Sequence, residues 1–252
     1  MSDTTEQRKA DAPDVRNRLA IALDVDDLVE AIRIAKDVRP WFGVAKVGLE
    51  LFTAAGSDAV VELQNAGYRV FLDLKFHDIP TTVRKAARVV GAVGADYLTL
   101  HATGGTTMLR AGVEGLAEGA AAAGLDAPTA LAVTVLTSEE AAPDHVLTHR
   151  VRHALEAGCG GIVCAATDLH HVRQLAPRLT TVVPGIRAAS ADQHDQARAS
   201  TPESALQAGA DLLVVGRAVT AAADRVAAAE ELVGSLQLER RSRAADAEPS
   251  SR

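Results

Sequence analysis

Aromatic residues are scarce, at 3% of the 252 residues. So little stacking surface argues against binding of single-stranded nucleic acid. Positive charge is not in excess either. The net charge is −7, which argues against a nucleic-acid or anionic-membrane partner. There are two cysteines, Cys159 and Cys164. They suggest neither a disulfide framework nor a zinc site, and they read as small buried hydrophobes. No apolar run approaches the ~20 residues of a membrane helix. The first sixteen residues lack the apolar stretch of a signal peptide. A soluble, cytoplasmic protein is the expectation. A glycine-rich loop is also missing after the first strand-like run. That position reads Leu23-Asp24-Val25-Asp26-Asp27, which speaks against an open dinucleotide-binding sheet. What is abundant is Ala, Val and Leu, within an apolar fraction of 48%.

Those residues gather in short runs: Leu19–Leu23, Gly43–Val47, Val70–Leu74, Tyr97–Leu100, Thr129–Val135, Gly161–Cys164, Thr181–Val183 and Leu212–Val215. Each is nearly continuously apolar, as a strand buried on both faces should be. Stretches of helical composition lie between them, such as Asp27–Val38, Thr81–Val90 and Val219–Leu236. Strand then helix, repeated eight times in one chain of this length, predicts a single-domain α/β fold, the (β/α)8 TIM barrel. The barrel is placed at 17–237. Residues 1–16 form a polar tail. The composition of 238–252, rich in charge, Ser and Ala, predicts a disordered tail.

In such a barrel the C-terminal strand ends form the active-site face. Polar residues recur there. Asp24 ends the first strand, and Lys46 lies on the second. Asp73 and Lys75 lie on the third, with Asp78 just beyond. His101 ends the fourth, and Thr137 follows the fifth. Pro184-Gly185-Ile186-Arg187 follows the seventh and Gly216-Arg217 the eighth. Asp73 and Lys75, two apart on a strand, point to the same side, into the barrel mouth. Leu74 then faces the helices. A structural salt bridge is the plainer reading of that pair. Against it stand three charges within six residues, flanked by Phe71, Leu72, Leu74 and Phe76, a costly arrangement unless it does chemistry. Lys46 adds a second cation on the neighbouring strand. The two Gly-Arg pairs after strands seven and eight sit where many barrels hold a phosphate.

These residues carry a resemblance. Leu23-Asp24, Lys46-Val-Gly48, Asp73-Leu-Lys75-Phe-His-Asp78-Ile-Pro-Thr-Thr82, His101-Ala-Thr-Gly-Gly105, Val135-Leu-Thr137-Ser138, Pro184-Gly-Ile-Arg187, Asp195-Gln196 and Val215-Gly216-Arg217 resemble the orotidine 5′-phosphate decarboxylase family, of the common bacterial type. The likeness covers about residues 18–235. Departures are small: Val183, Thr81 and Thr103 stand where Thr, Asn and Ser are more usual, and none is a charged position. The resemblance implies a cofactor-free, metal-free carboxy-lyase that converts orotidine 5′-monophosphate (OMP) to UMP and CO2 in pyrimidine biosynthesis. Lys75 would be the proton donor, in a catalytic array with Lys46, Asp73 and Asp78. Asp24 and Lys46 would bind ribose, and Thr137 the pyrimidine. Arg187, Gln196, Gly216 and Arg217 would hold the phosphate. The resemblance further implies a homodimer in which Asp78 and Thr82 complete the neighbouring subunit's site. His101 has no role in it and reads as a strand-end histidine satisfied by hydrogen bonds.

Two rivals remain at this point. One is a Mg2+-dependent sugar-phosphate decarboxylase or aldolase of a related barrel family, which shares the strand-three pattern. Lys46 and Leu136-Thr137-Ser138 favour a nucleotide over that substrate. The other is a catalytically silent barrel that only binds, which the intact Lys and Asp set disfavours.

Overall fold

A computed structural model describes residues 15–136, 143–186 and 200–247, with side chains given as far as 236. The strands β1 (Leu19–Leu23), β2 (Val44–Val47), β3 (Arg69–Phe76), β4 (Tyr97–His101), β5 (Thr129–Val133), β6 (Gly161–Val163), β7 (Thr180–Ile186) and β8 (Leu212–Val215) close into a barrel in chain order. Every neighbouring pair is parallel, and β8 pairs with β1. The expected fold class therefore holds.

Period-two alternation sorts the side chains into two cores. Leu19, Ile21 and Leu23 of β1, with Leu213 and Val215 of β8, join the larger core between barrel and helices. Ala20, Ala22, Leu212 and Val214 turn inward and pack with Val44, Phe71, Leu131 and Val182 in the barrel lumen. The same alternation that points Val44 and Phe71 inward points Lys46 and Asp73 inward one step higher. Lys46 is level with Ala22 on one side and Phe71 on the other. A small residue on β1 thus leaves room for the long lysine.

Local chemistry sets the helix ends. In α1 (Leu28–Val38) the Asp27 carboxylate caps the first turn, accepting the Glu30 N–H at 2.7 Å. The short helices α2 (Leu49–Ala55) and α3 (Asp58–Asn65) follow β2. Pro80 opens α4 (Pro80–Val93), where its fixed φ suits the first turn. Helix α4 lies unusually close to α5 (Gly105–Ala122). A Cβ on Gly115 would meet the Arg84 carbonyl oxygen at 2.2 Å, and one on Gly119 the Arg88 carbonyl oxygen at 1.9 Å. These glycines let backbone pack on backbone. They anchor the helix whose N-terminal loop carries Asp78. Beyond them come α6 (Asp144–Ala157), α7 (Leu169–Leu175), α8 (Pro202–Gln207), α9 (Arg217–Thr220) and α10 (Arg225–Ala247).

Several boundaries differ from expectation. Strand β5 stops at Val133 rather than Val135. Strand β7 continues through Pro184 and Gly185 to Ile186. Pro184 has no N–H for the ladder, and the β7–β8 register shifts between Val183 and Ile186. The helix expected over Val219–Leu236 is two helices, α9 and α10. Helix α10 runs on to Ala247, past the boundary placed at 237, through residues of good helix propensity such as Leu238, Glu239, Arg240 and Ala244. The outermost tails, 1–14 and 248–252, lie outside the described residues.

The end of the barrel remote from these strand ends is tied by polar side chains. Asp96 accepts the Val70 N–H at 2.7 Å, and its burial pushes the carboxyl above the usual range. Asp211 accepts the Thr181 N–H at 2.8 Å and Arg173 at 2.6 Å. These contacts tie neighbouring strand starts together. Cys159 and Cys164 are buried thiols, and burial pushes the Cys159 thiol up to about 12.

Candidate active site

The C-terminal strand ends surround a cavity of about 440 Å³. Apolar side chains form much of its wall, among them Phe71, Val133, Val163 and Val214. Over them runs a row of alternating charge. Asp24 Oδ1 lies 2.8 Å from Lys46 Nζ. Lys46 Nζ lies 3.8 Å from Asp73 Oδ2. Asp73 Oδ1 lies 2.8 Å from Lys75 Nζ. The row is neutral in sum, which is what makes it tolerable beside an apolar wall. Exposure rises toward its ends. The Lys46 side chain is 10% exposed and Asp73 16%, while Lys75 is 29% and Asp24 56%. The central pair is therefore the more enclosed, and the terminal groups are the more accessible from the cavity mouth.

The turn after β2 is shaped to admit the row. A Cβ at Gly48 would fall 2.6 Å from Asp24 Oδ1 and 3.1 Å from Lys46 Nζ. Strand β3 is irregular at the site. Lys75 has φ 50°, the single non-glycine residue with positive φ among the described residues. Such a conformation is strained for a side chain of this kind and clusters at functional sites. The Lys75 N–H donates to Thr99 Oγ1 at 2.9 Å, and the Thr99 hydroxyl donates to Asp73 Oδ1 at 3.0 Å.

Of the site residues expected from sequence, Asp24, Lys46, Asp73, Lys75, Gly216 and Arg217 line one cavity. Gly216 and Arg217 open α9 at the corner beside β7 and β8, with Pro184 and Gly185 also on the wall. Asp78 and Thr82 do not line it. Both are exposed, Asp78 in the β3–α4 connection and Thr82 in the first turn of α4. The Asp78 carboxylate accepts the Ile79 N–H at 2.6 Å and makes no ion pair with a described residue. Thr137, Arg187 and Gln196 lie outside the described residues. The His101 ring sits 5.8 Å from that of His77, off the cavity wall. Thr99 and Gly48 were not singled out from sequence. Thr99 had a signal: a polar residue set between Leu98 and Leu100 in the interior of β4. Among the described residues, no three His, Cys, Asp or Glu side chains converge to hold a metal ion.

Fold and cavity together define a (β/α)8-barrel enzyme with a lysine–aspartate row at the strand ends. Residues 17–232 match the family described as Orotidine 5′-phosphate decarboxylase / HUMPS. The chain is 43% identical to the orotidine 5′-phosphate decarboxylase of Moorella thermoacetica, over 88% of this chain and 93% of that one. It is 44% identical to the enzyme of that name from Anaeromyxobacter dehalogenans, over 87% of this chain and 98% of that one. Among solved structures, orotidine 5′-phosphate decarboxylase from Lactobacillus acidophilus superposes with a TM-score of 0.73 at 33% identity, covering 86% of this chain and 98% of that one. The chain belongs to the orotidine 5′-phosphate decarboxylase / HUMPS family. It is a carboxy-lyase.

Proposed function

We propose that the chain converts OMP to UMP and CO2 through Lys75, with no cofactor or metal ion. The observation that carries this reading is the Asp24–Lys46–Asp73–Lys75 row at the rim of an apolar-walled cavity. Breaking the bond between C6 and its carboxylate leaves an electron pair on C6, in the plane of the ring. A cationic ammonium beside C6 stabilises that charge and then donates its proton, so CO2 departs and C6–H forms. Lys75 regains a proton from solvent. Asp73 holds Lys75 and sits beside the departing carboxylate. The barrier reduction required is on the order of 20 kcal/mol, more than one lysine supplies. Binding of ribose by Asp24 and Lys46, of the pyrimidine by Thr137, and of phosphate by Arg187, Gln196, Gly216 and Arg217 orients C6 against Lys75 and closes the site.

The active unit is a homodimer, in which Asp78 and Thr82 of each subunit complete the other's row. Support comes from the position of Asp78, exposed beside Ile79 (67% exposed) and without an ion pair among described residues of its own chain. The setting is cytoplasmic, consistent with two buried thiols in a cysteine-poor chain. No described helix is long and apolar enough to cross a membrane.

The test follows loss of orotate absorbance on addition of OMP, with and without EDTA. Full activity in EDTA is expected. Activity that vanishes with EDTA and returns with Mg2+ would overturn the metal-free reading. Lys75→Ala is expected to fold and to lose turnover, and near-normal turnover would remove Lys75 as proton donor.

A further inference from the structure

Strand β3 makes room for its charged pair by abandoning the ladder. Leu72 pairs with Leu98 and Phe76 with Leu100, and the register shifts between them. Across that interval β3 supplies Asp73, Leu74 and Lys75, while β4 supplies Thr99 alone. Three residues against one is a bulge, and a bulge leaves backbone groups unpaired. Thr99 is fully buried. Its Oγ1 accepts the Lys75 N–H at 2.9 Å, and its hydroxyl proton goes to Asp73 Oδ1 at 3.0 Å. The Lys75 ammonium donates to that same Asp73 oxygen at 2.8 Å. The connections close a ring: Lys75 backbone, Thr99 hydroxyl, Asp73 carboxylate, Lys75 ammonium, and back through the Lys75 side chain. Lys75 is also the residue held at φ 50°.

We infer that Thr99 is the positioning residue of the decarboxylase. It holds the left-handed backbone at Lys75 by satisfying its N–H, and it fixes the rotation of the Asp73 carboxylate that aims the ammonium. The hydroxyl does both because it is donor and acceptor at once. Thr99 does not line the cavity, so it acts through Lys75 and Asp73 rather than on substrate. A methyl in place of the hydroxyl leaves the Lys75 N–H unsatisfied and frees the carboxylate to turn. Displacement of a reacting group by about 1 Å costs on the order of 100-fold in rate.

The inference rests on Lys75 being the proton donor. The experiment compares Thr99→Val, which keeps the shape and removes the hydroxyl, with Thr99→Ser, which keeps the hydroxyl, and with Lys75→Ala. Each is assayed for kcat and KM with OMP, for binding of UMP, and for thermal stability. Thr99→Val is expected to lower kcat on the order of 10- to 100-fold, with KM and UMP affinity within about threefold of the parent. Thr99→Ser is expected to recover most of the rate. Thr99→Val with parental kcat overturns the inference, as does equal impairment of the Val and Ser variants. A Thr99→Val protein that fails to fold leaves the Ser variant to decide. A folded Ser variant as slow as Lys75→Ala also overturns it. If Lys75→Ala itself retains turnover, the proton-donor reading fails instead, and the two failures are told apart.

Discussion

Arg217 sits at the start of α9, exposed on the cavity rim, following β8 and so beside β1, whose end leads into Asp24. Its guanidinium is a fixed fork of donors that suits phosphate better than any single lysine would. Substrate contacts remote from the reacting atom position that atom, so their loss reads out with the group they bind. Arg217→Ala is therefore expected to lower kcat/KM for OMP by about 10- to 100-fold, the worth of a charge-assisted contact. The same change should leave turnover of orotidine, which lacks the phosphate, nearly untouched. Steady-state kinetics with both substrates checks this. Equal losses would take Arg217 out of the phosphate site. In the proposed reaction Lys75 and Arg217 would thus divide the work, Lys75 at C6 and Arg217 at the far end of the nucleotide.

At the scale of elements, glycine carries opposite meanings in α5 and α10. A Cβ on Gly119 would lie 1.9 Å from the Arg88 carbonyl oxygen, a contact with rigid backbone. A Cβ on Gly234, within α10, would meet nothing within 4 Å. Mid-helix Gly→Ala in open space stabilises by about 1 kcal/mol. Overpacking against a neighbour typically costs about 1–3 kcal/mol. Gly234→Ala is expected to raise Tm by a few degrees and Gly119→Ala to lower it, at roughly 2–4 °C per kcal/mol for a chain of this size. Scanning calorimetry of both variants checks the signs. A stabilising Gly119→Ala would mean that α4 and α5 are not in backbone contact, and the anchoring of the Asp78 loop would lose its basis.

The elements also show what was legible in advance. The strands were visible because a strand buried on both faces must be apolar throughout, so Leu19–Leu23 and Leu212–Val215 matched to the residue. The row of Asp24, Lys46, Asp73 and Lys75 was visible because charge stands out against such runs. The bulge was not visible. Nothing in Asp73-Leu74-Lys75 distinguishes regular alternation from three residues set against one, and φ 50° at a lysine has no local sequence signal. Thr99 stood out as a polar residue between Leu98 and Leu100, but its role exists only in the register of β3 against β4, which no local pattern shows. The break between α9 and α10 falls at Ala221–Asp224, a run that includes alanines and carries no Pro or Gly to mark it.

At the scale of the whole molecule, the β3–α4 connection carries the greatest consequence. Asp78 lies three residues beyond Lys75 in sequence, yet it is exposed and lines no part of its own cavity. Pro80 fixes where α4 begins, and the α4–α5 glycine contact fixes where α4 lies. The loop is thus set on rigid supports and presents its carboxylate outward. A two-fold dimer would exchange two such loops at once. Complementation between inactive variants tests the exchange. Lys75→Ala and Asp78→Ala homodimers are each expected to be nearly dead, because every site in them has one defect. In a mixed dimer with shared loops, one site collects both substitutions and the other collects neither. Mixing the two proteins under conditions that allow subunit exchange should then restore activity, up to about half of a parental dimer for each heterodimer formed. If each site used its own Asp78, both sites of the heterodimer would carry one defect, and mixing would restore nothing. Exchange is followed separately, with differently tagged subunits and native mass spectrometry. Heterodimers that form and stay inactive would show that the site is built within a single chain.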